Sequence, residues 1–118
     1  MFIKLRKRNT NKDGNAWTQK QIEQVWGKGI LIPHFSPESW RLDKCGVIIK
    51  FDEFGNENSE YGWEIDHIIS VSNEGNDNIE NLQPLNWINN VVKDHKLKSF
   101  FQQNKTSIVT NYPLSMAI

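Results

Sequence analysis

The chain has 118 residues, with 14 Lys and Arg against 14 Asp and Glu, so its formal net charge is zero. That length suits one domain with a modest core, and the balanced charge argues against a surface that coats nucleic acid over its whole extent. The apolar share of 37% and charged share of 24% are ordinary for a globular protein, and no apolar run of membrane-spanning length occurs.

Residues 1–16 are polar and basic, with Lys4, Arg6, Lys7, Arg8 and Lys12 ahead of the first acid, Asp13. No apolar stretch follows these charges, so the segment does not read as a secretory signal; it reads as an arm with little fixed structure. A helix is expected from Thr18, whose hydroxyl forms a capping-box pattern with Gln21. Ile22, Val25 and Trp26 give it an apolar face, and Gly27 or Gly29 ends it. Residues 30–44 carry Pro33 and Pro37 and read as an irregular connector, with Trp40 as a plug in the core. Cys45 is the only cysteine. It cannot close an internal disulfide and reads as a packing residue, which suits a cytoplasmic address.

Residues 46–51 and 61–66 read as strands, the second because Tyr61, Trp63 and Ile65 alternate with Gly62, Glu64 and Asp66. Turn chemistry at Gly55-Asn56 predicts that the two form a hairpin. Residues 72–78 form a polar loop, and 79–85 return to an extended form with Pro84 at an edge or end. A helix is expected over 87–101. One face carries Ile88, Val91, Val92 and His95; a neighbouring stripe reads Trp87, Asn90, Asp94, Leu97 and Phe101. That stripe is apolar at both ends and polar in the middle. Burying Asn90 and Asp94 without partners is costly, so the stripe reads as a functional notch. The organisation expected is a basic arm (1–16), one domain (17–103, core motif 61–96) and a tail (104–118).

Charge is distributed unevenly. Between Asp52 and Glu80 there are nine acids and no Lys or Arg, with the basic arm before them and Lys93, Lys96, Lys98 and Lys105 after. An acidic middle with basic flanks suits a cation site beside groups that grip phosphate. Hydrolysis of a phosphodiester needs a nucleophilic water, a base for its proton, and a cation against the developing charge. Asp66 and Asn90 can supply hard oxygen ligands of the kind magnesium or manganese prefers. His67 is the natural base, since an imidazole titrates near neutral pH. Asn81 can hold the ring or its backbone neighbourhood from the adjacent strand. In a regular strand Asp66 and His67 point to opposite faces, so the pleat must end or twist there for both to reach one phosphate.

The run Tyr61-Gly62-Trp63-Glu64-Ile65-Asp66-His67-Ile68-Ile69, then Glu74 to Leu85, then Trp87-Ile88-Asn89-Asn90-Val91-Val92-Lys93, resembles the HNH endonuclease family over about 61–96. Trp40 to Gly46 is similar to small bacterial and phage members. The resemblance implies an α+β domain with the ββα-metal fold, preceded by a helix and a β-hairpin, acting as a metal-dependent endonuclease on DNA. By this analogy His67 is the general base and Asn81 positions it. Asp66 and Asn90 hold one divalent metal, magnesium or manganese, with zinc or nickel also compatible. Cleavage would leave a 5′-phosphate and a 3′-hydroxyl.

Asp94 could face the metal or its water, or pair with Lys98; His95 reads either as a core histidine or as a further group near the metal. Lys4, Arg6, Lys7, Arg8, Lys93 and Lys96 are the expected nucleic-acid contacts, with double-stranded DNA as partner, no membrane, and a homodimer or a larger phage or restriction complex as the assembly. Phosphate contacts of this kind position a duplex without reading its bases. The chain departs from the family in three ways. It lacks the paired cysteines that hold a structural zinc, so packing is expected to hold the scaffold. Ser70 stands where proline is common, and Val91 and Val92 replace polar or basic residues. The alternative reading is a catalytically weak nucleic-acid-binding or assembly module that keeps the fold.

Overall fold

The computed structural model describes residues 5–103, with side chains through Lys96. Its first helix, α1 (Gln19–Trp26), starts as its sequence dictates. The Thr18 hydroxyl accepts from the Gln21 backbone at 3.1 Å, and Gln21 Oε1 accepts from the Thr18 backbone at 3.0 Å. Two strands, β1 (Trp40–Leu42) and β2 (Ile48–Lys50), pair antiparallel with Arg41 opposite Ile49. A second antiparallel pair, β3 (Trp63–His67) and β4 (Leu82–Asn86), sets Asp66 opposite Gln83 and His67 opposite Leu82. Helix α2 (Trp87–Gln103) follows β4 without a break. The fold is therefore α+β, two hairpins and two helices, with a ββα unit from β3 through α2. Among the described residues no helix is long and apolar enough to cross a membrane.

The hairpin that precedes the ββα unit is β1–β2, and this corrects the pairing expected of residues 46–51 with 61–66. β1 falls inside the stretch expected to be irregular. Two local features explain the difference. Gly46 takes a left-handed φ of 81°, and the Asp43 carboxylate caps the turn by accepting from the Cys45 and Val47 amides, each at 2.9 Å. Directly after β2, residues Phe51–Glu53 coil into a 3-10 turn, so the chain cannot run straight into a forward hairpin.

The core gathers Val25 and Trp26 of α1, Ile49 of β2, Trp63 and Ile65 of β3, Leu82 of β4 and Trp17. Burying side chains of this size contributes about 1.5–3 kcal/mol each. Trp63 is its centre: Trp26 and Phe54 pack on it at 5.2 and 4.9 Å between ring centroids, and its Nε1 donates to Phe51 O. Trp40 is only half-buried, edge-on to Tyr61 and beneath the Lys50 ammonium. Cys45 is exposed, not a packing residue.

Packing alone does not hold the scaffold. Asp43 is 1% exposed, and its second oxygen accepts from the Asn86 backbone at 3.0 Å and from Asn89 Nδ2 at 2.9 Å. One carboxylate thus ties the β1–β2 turn to the start of α2. The N-terminal arm also differs from expectation. Asn9 Oδ1 accepts from the Ile65 amide on the open edge of β3 at 2.8 Å, Arg8 reaches Glu57 and Glu64, and the Lys12 amide donates to Asp77. These bonds lay residues 8–12 along β3.

Helix α2 meets the sheet through polar groups. Asn90 and Lys93 are buried, whereas Ile88 and Val92 are 47% and 37% exposed. The expected apolar face is turned to water because β3 presents Glu64 and Asp66 to the helix, and these acids need donors. Val91 is half-buried and His95 exposed. The side chains of Leu97, Lys98 and Phe101 lie outside the described set.

Candidate active site

The last residue of β3 is His67, and there the pleat ends. The Ile68 amide donates to Asn81 O at 2.8 Å; the Ile69 amide donates to Asn81 Oδ1 at 2.7 Å, and Asn81 Nδ2 returns a bond to Ile69 O at 3.1 Å. A further bond from Asn81 Nδ2 to Asn76 O, at 2.8 Å, ties the 69–78 loop together. Asn81 therefore grips the backbone just past the histidine, and its side chain does not bond the ring. Gly75 is required in this loop, since a Cβ there would lie 1.7 Å from Ile69 O.

Asp66 and His67 are consecutive in β3 and their side chains go to different partners, Gln83 and Lys93 for the first, Asp77 and Trp17 for the second. Both line one cavity of about 60 Å³, together with Asn90 and Asp94 of α2. That volume accommodates a few waters. Arg6 and Arg8 of the arm line it as well. Lys7 is exposed, His95 does not border the cavity, and Lys4 lies outside the described residues.

Two acids on β3 meet two donors on α2. Glu64 Oε1 accepts from Asn90 Nδ2 at 2.9 Å and from Arg8 Nε at 3.1 Å. Asp66 Oδ2 accepts from Lys93 Nζ at 2.5 Å and from Gln83 Nε2 at 2.8 Å. Lys93 Nζ also donates to His67 O at 3.0 Å. Lys93, expected as a phosphate contact, is thus an internal counter-ion at 8% exposure. Burial pushes the Glu64 carboxyl above its ordinary value, while the bonds from Asn90 and Arg8 pull the other way. Burial, joined by repulsion from Lys93, lowers Lys44.

The His67 ring is 3% exposed. Its Nε2 is 2.8 Å from Asp77 Oδ1, and the Trp17 ring packs against it at 5.5 Å between centroids. Sequence reasoning missed the parts played by Arg8, Glu64, Asp77 and Gln83. Gln83 was recoverable, because it stands directly opposite Asp66 once the strands are in register. Asp77 carries no local signal: it is one acid in a polar loop.

Residues 51–96 match the family described as HNH endonuclease. The chain carries an HNH domain. The match takes in β3, β4, the first part of α2 and all of Asp66, His67, Asn81 and Asn90; Arg8, Trp17 and Asp43 fall outside it. Neither the curated proteins nor the solved structures give a match to this chain. HNH proteins are generally nucleases, and at that coarse level the match supports a hydrolase that acts on nucleic acid.

The donor set bears on what cation the HNH domain could take. No group of three or more His, Cys, Asp and Glu with metal-site geometry occurs among the described residues. Asp66 and Asn90 both border the cavity, whose wall also includes Asp94, Ser70 and Asn9. The Asn90 amide is turned by its Nδ2 bond to Glu64, which leaves Oδ1 as the other arm; both bonds to Asp66 fall on Oδ2, which leaves its Oδ1. Two hard oxygens beside a water-sized cavity fit a divalent ion that keeps most of its own water.

Proposed function

We propose that this HNH domain is a divalent-metal-dependent endonuclease that hydrolyses phosphodiester bonds of double-stranded DNA. The observation that carries this reading is the convergence of Asp66, His67 and Asn90 on one small polar cavity that Arg6 and Arg8 also line. Asp66 and Asn90 would hold magnesium or manganese, which when bound offsets charge on the phosphate and the leaving oxygen.

The protein's own groups account for the rest. His67 takes a proton from the attacking water, and the water oxygen forms the new bond to phosphorus as the 3′ oxygen departs. Asn81 holds the backbone beyond His67, so the base cannot drift with the loop. Arg6 and Arg8 bring positive charge to the cavity wall, where a backbone phosphate would sit. These contacts carry no base readout, so cleavage of low sequence specificity is expected.

The test is incubation of supercoiled plasmid with the purified chain in EDTA, magnesium or manganese, beside His67→Ala and Asp66→Ala. Metal-dependent nicking that both substitutions remove is the expected result. Equal nicking by wild type and His67→Ala would discard the assignment.

A further inference from the structure

A histidine that takes a proton from water must present a bare nitrogen to it, and something must decide which nitrogen that is. His67 lines the cavity with Asp66, but Asp77, which holds its Nε2, does not border that cavity. Nε2 is thus taken up by a carboxylate outside the cavity wall, which leaves Nδ1 as the ring's other nitrogen. We propose that Asp77 is the positioning residue of the site: its carboxylate accepts Nε2–H, which keeps Nδ1 unprotonated toward the cavity. This rests on His67 acting as the base.

The surroundings suit such a part. Asp77 is itself held, because the Lys12 amide donates to Oδ1 and Oδ2 at 3.1 and 3.3 Å. Its loop is pinned by the Asn81 bond to Asn76 O and by the Asn78 amide on Asn76 Oδ1. Trp17 covers one face of the ring, so the imidazole can turn little about its own axis. An ordered carboxylate on one ring nitrogen fixes both tautomer and orientation.

The proton balance is complete. The O–H bond of water breaks as an Nδ1–H bond forms, leaving an imidazolium beside the Asp77 carboxylate. The water's electron pair makes the P–O bond while the bond to the 3′ oxygen breaks, and that oxygen takes its proton from solvent. His67 then returns its proton to solvent. Arg8 and Asn9 hold the same arm that carries Lys12, so the arm reaches the base through Asp77.

The experiment is a long-range proton–nitrogen NMR spectrum of the three histidines above neutral pH in EDTA, with His67→Gln to assign the signals, and plasmid nicking alongside. Wild type should show one tautomer at His67, protonated on Nε2, with that proton exchanging slowly. Asp77→Ala should lose the slow exchange and move both nitrogen signals, and kcat should fall about tenfold to a hundredfold with KM little changed. Should Asp77→Ala fail to fold, Asp77→Ser, too short to reach Nε2, carries the same readouts. Unchanged His67 nitrogen signals would overturn the proposal. So would a loss of melting temperature with kcat intact, since Asp77 would then only pin the arm. The nitrogen signals report on Asp77 even in a protein that cuts nothing, so this assignment and the nuclease reading fail separately.

Discussion

Two regions of this small fold bury carboxylates, and they treat them differently. At the junction of the β1–β2 turn with α2, Asp43 is enclosed by neutral donors: three backbone amides and the Asn89 side chain. At the end of β3, Asp66 and Glu64 face the charged groups Lys93 and Arg8. Asp66 borders a cavity that Asp43 does not line. The first arrangement ends in a closed joint. The second leaves oxygens and charge beside a space that a water, a cation or a phosphate oxygen could enter. A buried acid satisfied wholly by fixed dipoles acts as scaffold, and one balanced by charged side chains at a cavity is equipped for chemistry.

The sharpest way to break this comparison is to exchange what each region loses on substitution. His67→Ala should lower nicking by about a hundredfold to ten-thousandfold, with a smaller loss of urea stability from the gap its buried ring leaves beside Trp17. Asp43→Ala should do the reverse. It leaves the buried Asn86 amide without an acceptor, at about 1–3 kcal/mol, and the part-buried Cys45 and Val47 amides as well, against a total stability of about 5–15 kcal/mol. A large shift of the urea midpoint is expected, with the folded fraction still cutting at its usual rate.

A second pair of variants sharpens the cavity side. Magnesium or manganese should raise the melting temperature of wild type and of His67→Ala but not of Asp66→Ala, because a ligand that binds only the folded form stabilises it. Lys93→Met should melt earlier than wild type in EDTA, since Asp66 loses its buried counter-ion, and should gain more from added metal. Melting curves across a metal titration check both statements.

Much of the site was legible in the sequence because its parts sit in short, ordered runs. The capping box at Thr18 and Gln21, the alternation of β3, and the spacing of Asp66, His67, Asn81 and Asn90 are local patterns, and the structure contains α1, β3, β4 and α2 where those patterns place them. What was illegible depends on long-range partners. Nothing near Arg8 foretells Glu64, 56 residues away, and nothing in the 72–78 loop singles out Asp77. The apolar reading of Ile88, Val91 and Val92 failed for a related reason. Helical periodicity assumes that a helix packs through its apolar stripe, but β3 offers this one two carboxylates, so Asn90 and Lys93 turn inward instead. The β1–β2 pairing was hidden because Asp43, not a turn dipeptide, fixes that hairpin.

The smallest expected effect concerns Glu64. Burial raises its carboxyl in the folded chain, so the folded form binds a proton over a window in which the unfolded form has released it. Stability from this group is therefore present at low pH and lost as pH climbs from the ordinary carboxylate value, 4.5, through the raised one. In EDTA, the stability of wild type relative to Glu64→Gln should decline across that interval by a modest amount. Urea denaturation of both at several pH values reads it, and a difference that grows with pH would reverse the sign.

The most direct test of the central claim is the single-turnover nicking rate of supercoiled plasmid, per folded molecule, for His67→Ala and Asp43→Asn side by side in magnesium or manganese. The account predicts that His67→Ala is folded and inert, while the folded share of Asp43→Asn cuts as fast as wild type. Cleavage by His67→Ala at the wild-type rate would contradict it.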